Sequence, residues 1–516
     1  MKHIIIVGAG PAGLTAAYEL SKFPKEYKIT LIEESNCFGG ISRTVEHNGN
    51  RMDMGGHRFF SKVPEVNEWW EKMLPTQGTP AKDYVSLGKS CSIKSGGPNP
   101  ENTDRVMLLR NRLSRIFFHG KFFNYPINLS FATLKNMGFF TTFEVGCSYM
   151  KSVVFKRREN SLEDFYINRF GKKLYSMFFE SYTENLWGRH PKNISPEWGA
   201  QRVKGLSIIA ILKNMFGKVF HTTPRQVETS LIEEFAYPKL GPGQLWEITA
   251  AESAKNGVEI IMNAKVTKIH KDSNKIIGVT YEQNGNSKRL DGDFLISSMP
   301  LKDLVTGMND VPKKFSDIAA GLPYRDYMTV GVLLDKLNLK NETAIKTVGN
   351  IIPDDWVYVH DKRVKMGRFQ IYNNWSPYMV KDLEHTIWMG LEYFCDEGDE
   401  MWTQTDAEFA HAAFEEMVTM NLIDSVDAVK DYHVERVKKA YPAYFDTYAQ
   451  IEDLREYLNT IPNLFCVGRN GQHRYNNLDH SMCTSFETVK NILSGTVDKS
   501  NIWNVNTEKE YHESTK

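Results

Sequence analysis

This sequence of 516 residues has few cysteines, no long hydrophobic run and no net charge. The six cysteines are scattered and none forms a Cys-x-x-Cys pair, which argues against a disulfide framework, a redox dithiol and a zinc site. We therefore predict no metal site. Basic and acidic residues balance at 63 each, so the overall charge indicates neither nucleic-acid binding nor attraction to an anionic membrane.

Long apolar segments are also missing. The longest apolar run near the start, Ile4 to Val7, is too short for a signal-peptide core, and no stretch approaches the length of a membrane span. We therefore expect a cytoplasmic enzyme with no integral membrane segment. A chain of this length can bury a large core and should form roughly two to four domains.

The start of the chain has the pattern of a dinucleotide-binding βαβ unit. The apolar run His3 to Val7 is followed by a glycine turn, a helix-forming segment and a second apolar run. In the turn, Gly8 allows the chain to reverse tightly, Gly10 lets the backbone approach a pyrophosphate, and Gly13 lets the helix pack close to the sheet. The phosphate charge then lies at the helix N-terminus, near unpaired N–H groups.

An acid at the end of the second run supports this interpretation. Glu33 lies twenty residues past Gly13, where a carboxylate accepts hydrogen bonds from ribose hydroxyls and would repel a 2′-phosphate. A bare GxGxxG motif is weak evidence. Because this motif follows a strand, opens a helix and is followed by an acid at the right distance, we predict a bound adenine dinucleotide.

A second glycine turn favours FAD over NAD. Gly39, Gly40 and Arg43 follow shortly after the ribose-binding acid, and they resemble the second FAD signature of the amine oxidase and UDP-galactopyranose mutase flavoproteins. Gly40 would let the backbone approach the ligand, and Arg43 would offer a fork of donors to a diphosphate. The alternative is an ordinary surface turn with a solvated arginine.

A further pair of glycines, Gly55 and Gly56, stands directly before His57. The glycines again suggest a backbone that passes close to a ligand. His57 could hydrogen-bond a cofactor or sense its protonation near neutral pH. A lone histidine is more often a structural residue, so both interpretations stay open at this point.

The rest of the chain predicts added domains. Apolar residues at helical spacing from about Phe131 to Lys218, with a weak capping box at Ser161 and Asp164, indicate a helical insertion. Alternating segments from Arg325 to Phe394 indicate a sheet domain. We predict an α/β fold, with a Rossmann-like FAD-binding (GR2-type) domain, an inserted helical domain and an added antiparallel sheet domain. The predicted parts are FAD-binding segments 1–85, 221–310 and 456–495, a mostly helical insertion 86–220, a substrate and sheet domain 311–455, and a frayed tail 496–516.

Several strings outside the glycine motifs resemble the UDP-galactopyranose mutases, the longer eukaryotic form more than the bacterial one. The likeness runs in patches from Lys2 to about Leu493, whereas the amine oxidases share only the nucleotide-binding portions. The matching strings are Gly55-Gly56-His57 with Phe60-Ser61, Glu197-Trp198 with Arg202-Val203, Tyr237-Pro238 with Gly241, Gly243 and Trp246, Arg368 with Asn374-Trp375-Ser376-Pro377, Tyr441-Pro442, and Gly468-Arg469 through Tyr475, Asn477 and Asp479-His480-Ser481.

The resemblance implies an FAD-dependent isomerase that interconverts UDP-galactopyranose, or a related nucleotide sugar, and its furanose form for cell-surface glycan synthesis. In that family the reduced flavin attacks the anomeric carbon through N5 and UDP leaves. The ring then opens and recloses on a flavin–sugar adduct before UDP reattaches, with no net redox change. NADPH is a candidate reductant, acting in the substrate cleft because no second GxGxxG motif occurs. A homo-oligomer is one expected assembly.

The resemblance also implies roles for individual residues. By position, Arg202 and Arg368 match the family's two diphosphate arginines, and fixed bidentate cations would offset the charge that the leaving diphosphate gains. The residues predicted as catalytic are His57, Arg202 and Arg368; those predicted as substrate-binding are Trp198, Tyr441, Tyr475 and Asn477. The residues predicted as cofactor-binding are Gly8, Gly10, Gly13, Glu33, Gly40, Arg43, Gly55, Gly56, His57, Gly468, Arg469 and Asp479.

The sequence departs from the family pattern in three places. The loop after Arg469 is shorter than in the eukaryotic form, Asn477 replaces a bacterial acid, and Leu206 replaces a second bacterial arginine. The alternative functions are an amine-oxidase-type FAD oxidoreductase of an amine, polyene or porphyrinogen-like substrate, and a flavin-bound protein without enzymatic activity. The predicted arginine pair favours the mutase, since an oxidase of uncharged substrates does not need two converging cations.

Overall fold

The computed structural model describes residues 1–125, 127, 131–196 and 234–505. The strands in these residues are β1 (Lys2–Val7), β2 (Tyr27–Ile32), β3 (Thr44–His47), β4 (Asn50–Asp53), β5 (Met107–Asn111), β6 (Ser114–Phe118), β7 (Lys121–Asn124), β8 (Glu234–Pro238), β9 (Glu259–Ile261), β10 (Ala264–Asp272), β11 (Lys275–Gln283), β12 (Asn286–Asp291), β13 (Phe294–Ser297), β14 (Tyr324–Leu334), β15 (Trp356–Val359), β16 (Arg368–Ile371), β17 (Ile387–Cys395), β18 (Asp431–Pro442) and β19 (Leu464–Cys466).

The helices in the same residues are α1 (Pro11–Leu20), α2 (Pro64–Met73), α3 (Lys82–Leu87), α4 (Phe131–Met137), α5 (Phe139–Val154), α6 (Leu162–Phe178), α7 (Glu180–Trp187), α8 (Gly243–Lys255), α9 (Leu301–Thr306), α10 (Lys313–Ala320), α11 (Tyr372–Trp375), α12 (Glu400–Thr403), α13 (Asp406–Thr419), α14 (Ile451–Asn459), α15 (Gly468–Gly471), α16 (Leu478–Ser494) and α17 (Ser500–Trp503). Short 3₁₀ turns lie at Gly40–Ser42, Pro191–Asn193, Val348–Asn350, Val426–Ala428 and Asp446–Gln450.

A five-stranded parallel sheet, in the order β19-β13-β1-β2-β9, forms the base of the nucleotide-binding part. On one face of the central strand, Ile4 and Ile6 pack with helices α1, α8 and α16. On the other face, Ile5 and Val7 pack with the antiparallel sheet β10-β11-β12. A continuously apolar strand is typical of a parallel sheet that is covered on both sides. The predicted α/β architecture is thus confirmed.

The turn from β1 into α1 brings backbone atoms very close together. A methyl group on Gly13 would lie 1.9 Å from the carbonyl oxygen of Gly8. Gly8 has φ +98°, in the left-handed region that glycine tolerates. Because no side chain separates the two segments, the helix N-terminus is held directly against the end of the strand.

A seven-stranded sheet, in the order β18-β14-β17-β16-β15-β6-β7, forms the added sheet layer. All neighbours are antiparallel except β15 and β6, which run parallel. One face packs on α13 through a core that includes Phe369, Leu391 and Phe414. On the opposite face, Trp388 belongs to the same core as Met52 of β4. The sheet therefore lies directly against the nucleotide-binding part.

Strands β6 and β7 come from the range 86–220, which the sequence predicts to be mostly helical. They form a hairpin, and Ile116 and Phe117 are buried in different cores. Burial of successive residues in opposite cores is typical of a strand. The hairpin forms one edge of the seven-stranded sheet. Of the described residues in this range, the long helical run therefore begins only with α4.

Helices α4 to α7 form the helical part. The hydroxyl of Ser161 accepts a hydrogen bond from the backbone N–H of Asp164 at 3.2 Å, at the start of α6, which is one half of the predicted capping box. The carboxylate of Asp164 accepts from the same hydroxyl at 3.0 Å. No helix in residues 1–125, 131–196 and 234–505 is long and apolar enough to cross a bilayer. In those same ranges no group of three or more side chains could hold a metal ion.

A buried histidine near the last helices predicts a pH effect on stability. His473 has an exposed fraction of 0%, and burial lowers its pKa to about 4, although its hydrogen bond to the carbonyl of Ala443 opposes this shift. As the pH falls below about 6.5, the unfolded chain takes up a proton that the folded protein excludes. The folded state then loses on the order of 1.4 kcal/mol per pH unit through this group.

We therefore expect His473→Asn to lose less stability than the wild type between about pH 7 and about pH 5. Asparagine tolerates the left-handed φ of +46° at this position. Denaturant unfolding at both pH values measures the difference. An equal loss in His473→Asn and the wild type would contradict the prediction.

Candidate functional site

A cleft of about 760 Å³ opens at the carboxyl ends of the parallel strands. In open α/β sheets this is where ligands bind, and the volume is in the range of small-molecule sites. Predicted cofactor-binding residues that line the cleft are Gly8, Gly10, Glu33, Gly40, Arg43, His57, Gly468 and Arg469. The structure therefore brings residues from the beginning and the end of the chain to one cavity.

The two glycine turns face each other in this cleft. A Cβ on Gly10 would lie 3.9 Å from the Cα of Gly40, and a Cβ on Gly40 would lie 3.4 Å from the Cα of Gly10. Gly10 is also the N-cap of α1, so the N-terminus of that helix points at the same place. Backbone without side chains and a helix N-terminus are the features that a pyrophosphate needs.

Glu33 and Arg43 are both engaged within the protein. Glu33 accepts hydrogen bonds from the backbone N–H of Ala9 at 2.6 Å and from Ser35. Each carboxylate oxygen has more than one acceptor site, so a ribose hydroxyl can still bind. Arg43 donates to Glu435 at 2.9 Å and to the carbonyl of Gly40 at 3.3 Å. Its guanidinium is therefore already paired with a carboxylate within the protein, and its contact with a diphosphate stays a prediction.

The start of α16 closes the other end of the cleft. Asn477 is the N-cap residue, and its backbone N–H donates a hydrogen bond to Nδ1 of His480 at 3.3 Å. Asp479 is buried and accepts a hydrogen bond from the hydroxyl of Ser61 at 2.9 Å. Asp479 thus ties the loop that follows Gly55 and Gly56 to the helix N-terminus.

A smaller cavity of about 120 Å³ adjoins the cleft. Its lining includes residues that the sequence analysis assigns to the substrate or to the flavin. These residues are His57, Arg368, Tyr441, Tyr475 and Arg469, together with Gly55, Gly56, Asn477 and Asp479. Segments separated by more than half of the chain therefore meet at one site.

Arg368 is held in a fixed orientation by a residue that the sequence analysis misses. Its Nε donates to Glu392 at 2.6 Å, and one Nη donates to the hydroxyl of Tyr441 at 3.1 Å. Glu392 is 1% exposed and also accepts from Gln370 at 2.6 Å. Burial lowers the pKa of Arg368, but the charge of Glu392 more than offsets this effect, so its pKa lies well above the ordinary value.

Arg469 has a different environment. It donates only to backbone carbonyls, of Asn476 at 2.8 Å and of Ala440 at 3.2 Å, and no carboxylate in the described part of the chain forms an ion pair with it. Its guanidinium lies 4.6 Å from the ring centroid of Tyr475, which in turn stacks on Tyr441 with centroids 6.1 Å apart. Arg469 therefore offers the cavity a positive charge that forms no ion pair within the described residues, although Asp479 also lines the cavity.

His57 is neutral at physiological pH. Its Nδ1 lies 3.0 Å from the carbonyl oxygen of Gly55, and because a carbonyl only accepts, Nδ1 carries the hydrogen and Nε2 is an acceptor. Burial and the nearby charges of Arg469 and Arg368 lower the pKa of His57 to about 3. A pKa this low does not favour a role in sensing protonation near neutral pH, and a hydrogen bond from His57 to the cofactor stays a prediction.

Two predicted site residues, Trp198 and Arg202, lie outside the described residues. The convergence of Arg202 with Arg368 therefore stays a prediction. Among the residues that the structure describes, two further arginines line the cavity with Arg368. They are Arg58 and Arg469, and the sequence analysis assigns Arg469 to the cofactor.

Comparisons with known proteins give the family and the fold. The family model for flavin containing amine oxidoreductase matches residues 11–476. A solved structure of reduced UDP-galactopyranose mutase is similar over 99% of this chain and 100% of that chain, with a TM-score of 0.76 and 20% identity. Putrescine oxidase bound to putrescine is similar over 96% of this chain and 99% of that chain, with a TM-score of 0.54 and 14% identity. At these identities the likeness shows the fold alone.

The similar curated proteins match only part of their length. Phytoene desaturase of Phycomyces blakesleeanus is 41% identical over 86 residues, which are 17% of this chain and 14% of the desaturase. Protoporphyrinogen oxidase 2, chloroplastic/mitochondrial, of Arabidopsis thaliana is 22% identical over 232 residues, or 42% of this chain and 39% of that protein. Both relatives are oxidoreductases by name. The chain matches well under half of the length of either protein.

The lining of the cleft fits FAD. The facing turns at Gly10 and Gly40 leave room that a side chain would fill, Glu33 lies at the end of β2 where a ribose binds, and the uncompensated charge of Arg469 lies toward the smaller cavity. FAD is the cofactor. From the family match over residues 11–476 and these features, we conclude that the chain belongs to the flavin-containing amine oxidoreductase family.

Proposed function

We propose that this protein is an FAD-dependent mutase that interconverts UDP-galactopyranose, or a related nucleotide sugar, and its furanose form. The observation that carries the proposal is the polar cavity beside the cofactor cleft, where three arginines lie with two tyrosines and one acid, Asp479. The arginines are Arg58, Arg368 and Arg469. An amine or a polyene brings no negative charge for Arg469 to bind. A nucleoside diphosphate does, and it matches the fork geometry of guanidinium groups.

The residues around Arg368 suit the handling of a leaving diphosphate. Reduced FAD would supply the nucleophile for the sugar. Within the described chain, the second Nη of Arg368 has no hydrogen-bond partner, because Glu392 and Tyr441 engage the other nitrogens. A donor that is already oriented needs no reorganisation when charge develops on the leaving group. Such a donor lowers the reaction barrier most where water is excluded.

Tyr441, Tyr475 and His57 would complete the site. The stacked tyrosine rings form one wall and their hydroxyl groups are donors for phosphate oxygens. The neutral His57 presents Nε2 as an acceptor, so it can bind an N–H or a hydroxyl group without adding positive charge.

We propose NADPH as the reductant and the cytoplasm as the location.

The direct test is the reaction itself. The protein reduced with dithionite is incubated with UDP-galactofuranose under argon, and UDP-galactopyranose is measured by anion-exchange chromatography. We expect conversion by the reduced protein and none by the oxidised protein, since the oxidised flavin is not nucleophilic. Absence of conversion for UDP-galactofuranose would contradict the named substrate, and absence of any UDP binding would remove the nucleotide-sugar class.

The second candidate function is an oxidoreductase of an amine, polyene or porphyrinogen. It is favoured by the family match and by the names of the curated relatives. Consumption of oxygen with such a substrate, combined with no turnover of UDP-galactofuranose, would support it over the mutase.

Arg202 gives a prediction that rests on the sequence. We expect Arg202→Ala to lose UDP binding while FAD stays bound, because a diphosphate site that depends on two guanidinium groups is weakened by removal of either one. Titration with UDP, followed by calorimetry and by flavin absorbance, measures both properties. The exposed Arg289→Ala is the control. Unchanged UDP affinity in Arg202→Ala would argue against a role of this arginine.

A further inference from the structure

Helix α5 and the residue after it expose a large number of apolar side chains. Seven of the sixteen large apolar side chains that are exposed in the described residues lie between positions 139 and 155. Phe139 is 80% exposed, Phe140 is 82% exposed and Phe155 is 71% exposed. We call this set the α5 apolar face: Phe139, Phe140, Phe143, Met150, Val153, Val154 and Phe155. An exposed cluster of this kind in a globular protein marks an interaction surface.

The α5 apolar face is not used in the packing of the helical part. The buried positions of α5 are Val145 and Ser152, which lie on the side that packs on α6. There a Cβ on Gly171 would lie 2.8 Å from the backbone nitrogen of Tyr149, so α6 contacts the backbone of α5 directly. The phenylalanines are therefore left for a partner outside the described chain.

Basic residues surround the α5 apolar face. From 135 to 173 the chain has eight basic and four acidic residues. The four acids are all paired with basic residues of the same stretch: Glu144 with Lys173, Glu159 with Arg169, and Glu163 and Asp164 with Arg157. Five of the basic residues are exposed and adjoin the α5 apolar face in the sequence: Lys135, Lys151, Lys156, Arg157 and Arg158. Of these five, Arg157 is paired with Asp164 at 3.3 Å. The whole chain has no net charge, so this is a local concentration of positive charge beside an apolar surface.

We propose that the α5 apolar face docks on the surface of an anionic lipid bilayer. Phenylalanine and valine side chains would enter the boundary between headgroups and acyl chains, and the lysines and arginines would lie at the lipid phosphates. The helix has 16 residues, which at 1.5 Å per residue is shorter than the roughly 30 Å of the hydrocarbon core, so it lies in the interface and does not span.

Charge favours a lipid surface over the other candidate occupants. In a two-fold contact between copies, the same basic cluster would face itself, which is repulsive. Residues 197–233 of this chain contain five basic and three acidic residues, so they do not offer complementary charge either. An anionic bilayer supplies both an apolar layer and negative charge.

The test is flotation of the full-length, FAD-bound protein with vesicles of phosphatidylcholine alone and of phosphatidylcholine mixed with phosphatidylglycerol. We expect binding to the anionic vesicles that weakens as salt is added. F139S/F143S and K156E/R158E should each lower vesicle affinity at least about tenfold, through lost apolar insertion and reversed charge respectively. The matched controls, V85S and K275E, change exposed residues elsewhere and should bind like the wild type.

Flavin absorbance and the melting temperature check that each variant is folded. Hydrogen–deuterium exchange of the wild type needs no variant: the amides of 139–155 should gain protection when anionic vesicles are added. Absence of wild-type binding to anionic vesicles, or binding that both variants retain, would overturn the proposal. A wild-type dimer that F139S/F143S converts to a monomer, with no vesicle binding, would assign the surface to a second copy. None of these measurements depends on the mutase reaction.

Discussion

Gly13→Ala is expected to destabilise the protein by about 3 kcal/mol or more and to abolish retention of FAD. The added methyl group would lie 1.9 Å from the carbonyl oxygen of Gly8, so α1 must move away from β1. That movement displaces the helix N-terminus from the turn where the pyrophosphate binds. Thermal unfolding and the flavin-to-protein absorbance ratio of the purified protein measure the two effects.

Gly10→Ala is the matched control. Its methyl group would meet the Cα of Gly40 at 3.9 Å, an ordinary contact, so the folded state without cofactor should be almost unaffected. The same methyl group would occupy space between the facing turns, and we expect weaker FAD binding with little loss of stability. Retention of both FAD and the wild-type melting temperature in Gly13→Ala would show that the close contact between β1 and α1 is not required for stability or for FAD binding.

Arg368→Ala is expected to lower UDP affinity at least about 30-fold, with FAD still bound. The variant removes the oriented guanidinium and also leaves Glu392 buried without its cation. An unpaired buried charge costs about 3 to 5 kcal/mol, so the stability of this variant should fall as well. UDP titration by calorimetry and denaturant unfolding separate the effect on binding from the effect on stability.

The double variant Arg368→Ala with Glu392→Gln distinguishes the two effects. Removing the charge of Glu392 should restore much of the stability, because no buried carboxylate is left unpaired. UDP binding should not return. Recovery of UDP affinity in the double variant would mean that Arg368 acts only by supporting the fold, and the proposed diphosphate contact would be wrong.

The location of charge was only partly predictable from composition. The balance of 63 basic and 63 acidic residues is a property of the whole chain, and it hides both the uncompensated Arg469 and the basic cluster beside α5. Arg469 lacks a carboxylate partner within the described residues because its neighbours in space are backbone carbonyls and tyrosine rings. Such surroundings depend on which segments meet, and composition contains no information on that.

By itself, the sequence determined the nucleotide-binding fold and the flavin class, because these depend on local patterns. An apolar strand, the turn from Gly8 to Gly13 and an acid at the next strand end lie within 33 residues, and each acts through the conformation of its own short segment. The tertiary structure alone decided that Glu392 holds Arg368. The two residues are directly paired across β16 and β17, and the register between strands is set by long-range packing. The neutral state of His57 was decided in the same way, since its pKa depends on burial and on the charges of Arg469 and Arg368, which reach it from distant parts of the chain.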